Sequence, residues 1–186
     1  MKRTFLAVKL TLLDDNNKLF SDLKIKFKDS LINWVNAENM HLTLFFLGET
    51  TENQIASICN KLREQLKDTK AFSFTLKRLG VFRNINDPRV IWLGVENVDK
   101  LKEVKKYIDS VLLKFDFQVE EKEFRPHLTL GRIKHLKQKN ILNDLIEKYN
   151  DYKFQEVFVN EIVFYESVLT PNGPVYKVID KFVLTQ

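Results

Sequence analysis

His41-Leu42-Thr43-Leu44 and His127-Leu128-Thr129-Leu130 are one tetrapeptide used twice, once in each half of the chain. Only three histidines occur in the protein, and two of them open these copies. At the frequencies of Leu and Thr in this chain, a given His is followed by Leu-Thr-Leu by chance roughly once in a thousand. The internal period of the repeat is two, which is the side-chain period of a β-strand. His41 and Thr43 therefore share one face and Leu42 and Leu44 the other; His127 and Thr129 stand likewise above Leu128 and Leu130. The apolar pair anchors each strand, and the polar pair is presented together into a cleft.

That polar pair has a chemistry. An imidazole titrates near neutral pH and moves protons, while a threonine hydroxyl two residues on donates a hydrogen bond to a phosphate oxygen. Two such units facing each other supply one base, one acid and two phosphate contacts, which suffices for in-line displacement at phosphorus without a metal. A single His-x-Thr on a strand is far more often packing or surface decoration; the shared residue types, period and apolar backing of the two copies argue otherwise here. A metal centre is not expected. Zinc sites need three or four ligands, usually including a close pair, and neither copy has a second His, Cys, Asp or Glu beside it. The third histidine, His135, stands too far apart to complete a set and reads as a solvated loop residue. Neither a phosphate-binding Gly-x-x-x-x-Gly-Lys loop, a dinucleotide Gly-x-Gly-x-x-Gly turn nor a Gly-x-Ser-x-Gly elbow is present, and no cofactor is expected.

Around the two motifs the chain alternates strands and helices. The pattern predicts a strand at Thr4–Leu10, a helix at Asp14–Lys28, a strand at Met40–Leu47, and a helix from Thr51 to about Lys67 with Gln54 closing a capping box. Strands at Phe72–Phe82 and Arg89–Glu96 come next, split by the turn Asn84-Ile85-Asn86-Asp87-Pro88. Leu101, Val104, Ile108, Val111, Leu112 and Phe115 mark an amphipathic helix. A strand then holds His127, a helix lies near Asn140–Tyr149, and Phe154–Leu169 and Val175–Leu184 close the chain as a hairpin about Thr170-Pro171-Asn172-Gly173-Pro174. The expectation is an α+β fold of two similar lobes, each an antiparallel sheet flanked by helices, with the motifs at the seam. No Gly/Ser/Pro-rich linker separates them, so residues 1–186 are expected to form a single two-lobed domain.

Composition agrees. With 186 residues, 44% hydrophobic and 30% charged, the chain can bury a sizeable core. A net charge of +5 favours an anionic ligand without suggesting a protein that coats long nucleic acid. The lone cysteine, Cys59, excludes an internal disulfide and falls in step with Ile55, Ile58, Leu62 and Leu66 as a core residue. No apolar run approaches a membrane span, and Lys9 and Asp14-Asp15 interrupt the N-terminal apolar stretch too early for a secretory signal. A cytoplasmic monomer without membrane contact is expected.

The residues also resemble a known family. Twin His-x-Thr-x motifs are the signature of the 2H phosphoesterases, and the wider sequence is similar to their RNA 2′,3′-cyclic phosphodiesterase branch, also called 2′-5′ RNA ligases. The similarity runs through Arg3-Thr4-Phe5-Leu6-Ala7, Trp34, Asn39-Met40 and the first motif to Gly48. It continues through Leu79-Gly80-Val81-Phe82, Pro88 to Gly94, Phe124 to Arg132, and the closing Ser167, Leu169, Pro171, Gly173 and Tyr176. The resemblance implies a bilobal fold with a central cleft, and hydrolysis of a terminal 2′,3′-cyclic phosphate on RNA ends or small cyclic nucleotides to a 2′-phosphomonoester. It implies His41 as proton donor to the departing 3′ oxygen, His127 as proton acceptor from water, and Thr43, Thr129 and Arg132 as substrate-binding residues. The residues themselves require only one acid and one base. Arg132 has the wrong strand parity to share the face of His127 unless Gly131 ends or bulges the strand; Arg125 has the right parity and is the alternative. Phe45, Phe82 and Phe124 are candidates to stack a base, although core packing is the commoner role for such residues. Two other functions fit the same site: a phosphodiesterase or ligase of 2′-5′ RNA linkages, and a nucleotide- or RNA-end-binding module without chemistry.

Overall fold

The structure of the protein is a computed structural model that describes residues 1–119, 123–171 and 173–186. Among these, the strands form two sheets. In the four-stranded sheet, β1 (Lys2–Lys9) lies between β3 (His41–Thr50) and β8 (Glu161–Thr170), with β9 (Gly173–Val183) outside β8. In the five-stranded sheet the order is β2 (Leu31–Trp34), β6 (His127–His135), β5 (Pro88–Glu96), β4 (Phe72–Arg83) and β7 (Lys153–Val159). Every pairing between these strands is antiparallel, and an isolated parallel bridge joins Lys70 to Thr185. Four helices, α1 (Asp14–Lys26), α2 (Glu52–Leu66), α3 (Asp99–Leu112) and α4 (Lys139–Lys148), complete the fold. The α+β, two-sheet architecture is the expected one.

Local chemistry accounts for several of the element ends. Thr51 caps α2 by accepting from the Gln54 amide at 3.3 Å, and the Gln54 side chain accepts from the Thr51 amide at 3.0 Å, closing the capping box. The helix at Leu101–Phe115 stops at Leu112, gives one 3-10 turn at Leu113–Phe115 and ends on Asp116 in the left-handed region. The closing hairpin turns at Gly173, whose φ of +109° suits glycine; Asn172 of that turn lies outside the described residues.

Two elements differ from expectation. Leu31–Trp34 forms a short strand on the edge of the five-stranded sheet, with no counterpart in the sequence reading. The apolar run Phe154–Leu169 is not one strand. It breaks at Asn160, so that β7 joins the five-stranded sheet and β8 the four-stranded one. The sheets are therefore not consecutive halves of the chain: β1, β3, β8 and β9 come from its two ends, β4–β7 from between them, and β2 from between β1 and β3. A single cluster of buried side chains contains residues of both sheets, among them Leu6, Leu42, Phe164, Phe74, Leu93 and Leu128.

Candidate active site

Both motifs stand as the period-two argument requires. Leu42 and Leu44 are buried to 0% and 2% exposure, Leu128 and Leu130 to 0% and 2%, while the four polar residues between them are only half-buried. His41, Thr43, His127 and Thr129 line one cavity of about 1140 Å³, together with Arg125, Arg132, Phe46, Phe82, Lys105 and Tyr176. Two strands from different sheets thus bring the repeated residues to the same cleft.

Both strands are then interrupted at the same point of the repeat. Along β1 and β3 the register passes from Ala7–Thr43 to Leu6–Phe45, leaving Leu44 unmatched. Along β5 and β6 it passes from Trp92–Thr129 to Ile91–Gly131, leaving Leu130 unmatched. A bulge of one residue reverses the facing of the residues that follow it, up to the next irregularity. Leu44 and Phe45 both turn inward and Phe46 outward; Leu130 and Gly131 turn inward and Arg132 outward. Arg132 therefore reaches the cavity, as it could only if the strand bulged at Gly131. Its structural equivalent in the four-stranded sheet is Phe46. Glycine is required at 131, because a Cβ there would lie 2.9 Å from Ile32 Cγ2 and from Trp34 Cε3.

The two imidazoles are held alike. His41 Nδ1 lies 2.7 Å from the Asn39 carbonyl oxygen, and His127 Nδ1 lies 2.9 Å from the Arg125 carbonyl oxygen. A carbonyl only accepts, so each Nδ1 carries the hydrogen and each Nε2 is the nitrogen not taken up by that bond. The ring of His41 is packed by Phe5 at 4.9 Å and by the edge of Tyr176 at 5.1 Å. The His127 ring meets the edge of Phe82 at 4.6 Å. The Asn39 side chain also donates to the Pro174 carbonyl at 2.9 Å, tying the approach to His41 to the β8–β9 hairpin that carries Tyr176.

Burial lowers the pKa of both histidines, and the Arg132 guanidinium lowers each further; His41 also feels His127. The carbonyl hydrogen bonds act the other way without prevailing. Both rings accordingly favour the neutral form. Burial raises the Tyr176 phenol against the opposing pull of Arg132 and Arg3.

At the end of the cavity, Lys105 of α3 lies 5.2 Å from the ring centroid of Phe45 and 5.7 Å from that of Phe124, and it donates to Asp109 Oδ2 at 2.6 Å. One cation thus contacts Phe45 of β3 and Phe124 in the segment that leads into β6, a contact that no local sequence pattern announces. His135 is outside the site: it is the exposed last residue of β6, not a loop residue. Among the described residues, no group of three or more His, Cys, Asp or Glu could hold a metal ion, and no helix is long and apolar enough to cross a membrane.

A two-sheet fold with paired His-x-Thr strands across a cleft defines a class, and comparison with known proteins gives the same class. The sequence profile of the 2′-5′ RNA ligase superfamily matches residues 20–169, and the chain belongs to that family. It is 41% identical to a Thermotoga maritima protein named RNA 2′,3′-cyclic phosphodiesterase, over 95% of this chain and 92% of that one. A Methanocaldococcus jannaschii protein of the same name is 39% identical over 97% and 99% of the two chains. Among solved structures, a Thermus thermophilus protein superposes with a TM-score of 0.78 at 25% identity, covering 98% and 97% of the chains. Escherichia coli LigT, 22% identical, shares the fold at a TM-score of 0.75 over 100% and 98%.

Proposed function

We propose that this chain hydrolyses the terminal 2′,3′-cyclic phosphate of RNA to a 2′-phosphomonoester, using its two motif histidines as base and acid. The observation that carries this reading is the matched pair of Nδ1–carbonyl bonds, which turns both Nε2 atoms into working positions in one cavity, with the Arg132 guanidinium acting on both rings. The names of the relatives point to the same reaction, and a relative of the same fold, Escherichia coli LigT, has been crystallised with 3′-AMP.

In this mechanism His127 Nε2 takes a proton from water as the water oxygen attacks phosphorus. The bond from phosphorus to the 3′ oxygen breaks, and His41 Nε2–H protonates that oxygen as it leaves. Thr43 and Thr129 donate hydrogen bonds to the non-bridging oxygens, and Arg132 offsets the growing negative charge. The acid must enter protonated although burial and Arg132 disfavour a charged imidazole. The phosphate supplies the remedy: its negative charge beside the rings raises their pKa on binding. Base and acid are complementary in protonation, so the chemistry needs no bound metal.

Incubation of an oligonucleotide ending in 2′,3′-cyclic phosphate with the protein in EDTA, beside His41→Ala, His127→Ala and His135→Ala, tests this. Conversion to the 2′-phosphate is expected for the wild type and for His135→Ala, with losses of roughly 10² to 10⁴ in each motif variant. Equal losses in all three variants would overturn the site assignment, and survival of the cyclic end with wild-type protein would overturn the reaction.

A further inference from the structure

The open face of the five-stranded sheet continues beyond the cavity as a strip of aromatic and cationic side chains. Phe82, at the cavity wall, lies 5.1 Å from the Trp92 ring, and the Arg78 guanidinium lies 6.0 Å from that ring. These groups are tied to the motif strand by register: Trp92 pairs with Thr129 and Gly94 with His127. Two glycines make room for them. A Cβ on Gly80 would sit 2.3 Å from the indole, and a Cβ on Gly94 would sit 3.2 Å from the indole and 3.6 Å from Arg78 Nε. The indole therefore lies flat on the sheet with the guanidinium beside it.

Arg78 is unusual in two respects. It is the unmatched residue of a bulge in β4 and holds a φ of +66°, a region that disfavours any residue with a Cβ. It is also exposed and forms no ion pair with a described carboxylate, whereas its neighbours on the sheet are paired: Lys77 with Glu96 and Asp151, and Arg83 and Arg89 with Asp87. Arg83, Asn97 and Asp116 share the positive φ, but Arg78 combines it with a bulge beside the Trp92 ring and a charge that no described carboxylate compensates, which leaves its guanidinium available to an anionic group. Two strand spacings, about 10 Å, separate the strand of Arg78 from that of His127, within reach of the nucleotide joined to one held in the cavity.

We propose that Arg78 and Trp92 form a subsite for the RNA strand next to its cyclic end, Arg78 contacting the adjoining phosphodiester and Trp92 giving an apolar face to the sugar or base. The proposal rests on the reading that the cyclic end occupies the cavity, and it explains how an oligonucleotide would be preferred to a mononucleotide at the same catalytic groups. Arg–phosphate contact plus an aromatic platform is a general means of holding single-stranded nucleic acid.

The test is equilibrium binding, which needs no turnover. Fluorescence anisotropy of a 5′-labelled oligoribonucleotide ending in a 2′-phosphate, with a nucleoside 2′-monophosphate as competitor, gives both affinities for each variant. In Arg78→Gly the oligonucleotide affinity is expected to fall about fivefold to tenfold relative to the mononucleotide affinity, and the salt slope to lessen by about 0.7. Arg78→Lys keeps part of the preference, and Lys61→Ala, which removes the same charge on α2, keeps all of it. Because glycine suits this φ, the melting temperature of Arg78→Gly should not drop below that of the wild type. Loss of both ligands in equal measure, no change in either, or failure of wild-type protein to bind the oligonucleotide would overturn the subsite. Stability of a cyclic-ended oligonucleotide toward wild-type protein would instead overturn the hydrolase reading, while the affinity ratio still decides the subsite.

Discussion

His41 and His127 are set by one device, a hydrogen bond from Nδ1 to the carbonyl two residues earlier, repeated on two strands. The residue types and their shared face are legible in the sequence, since period two needs nothing more than the strand. The carbonyl partner is not, because it belongs to the backbone of a segment whose path the side-chain pattern leaves open. Burial and Arg132 depress both imidazoles from the ordinary value of 6.5. Above pH 6.5 neither the folded nor the unfolded form takes up a proton at these positions. As pH falls below it, the unfolded chain is protonated first, so stability declines until the folded-state pKa values are passed. The expected outcome is a melting temperature that falls between pH 7 and 5, with a shallower fall in His41→Gln. A saturating nucleoside 2′-phosphate should flatten the wild-type curve as well, because its charge favours the protonated rings.

The bulges show where element-level reading stops. Burial alternates as the sequence implies up to Leu44 and Leu130, then reverses because Leu44 has no partner on β1 and Leu130 none on β5. Arg132 is delivered to the cleft by this irregularity, and only the glycine before it hints at the possibility. Gly131→Ala would force a Cβ against Ile32 and Trp34, so β2 or the bulge must shift. The expected cost is about 1–3 kcal/mol of stability by denaturant unfolding. Turnover should fall as far as in Arg132→Ala, since the guanidinium moves with the strand. A stability loss with unchanged turnover would show that the bulge serves packing alone. Leu31–Trp34 is hard to see for a related reason: four residues of alternating exposure on a sheet edge carry too short a pattern to stand out. The division of Phe154–Leu169 is equally silent, because Asn160 interrupts an apolar run with neither Gly nor Pro.

At the scale of the molecule, the cleft brings together residues of both sheets and of α3, and Lys105 ties that helix to β3 and to the segment before β6. Its side chain, 14% exposed, lies between Phe45 and Phe124 and is neutralised by Asp109, 19% exposed. Lys105→Met leaves a half-buried carboxylate without its partner and should cost about 2 kcal/mol, read from urea unfolding. Adding Asp109→Leu should restore most of that loss. No recovery in the double variant would mean that the aromatic contacts, not the ion pair, supply the stability. Pairing across such separations is the part of the fold least legible in the sequence. Local periodicity names strands well, but it does not say that β1 would find β8 from the far end of the chain. That arrangement has a consequence for biosynthesis. Every strand of the five-stranded sheet has been translated once Val159 is made, whereas β1, already synthesised, keeps one edge unpaired until residues 161–170 emerge. The nascent chain thus carries an open strand edge through most of its synthesis, and a ribosome that stalls just before β8 leaves a template for aggregation attached to an otherwise foldable sheet.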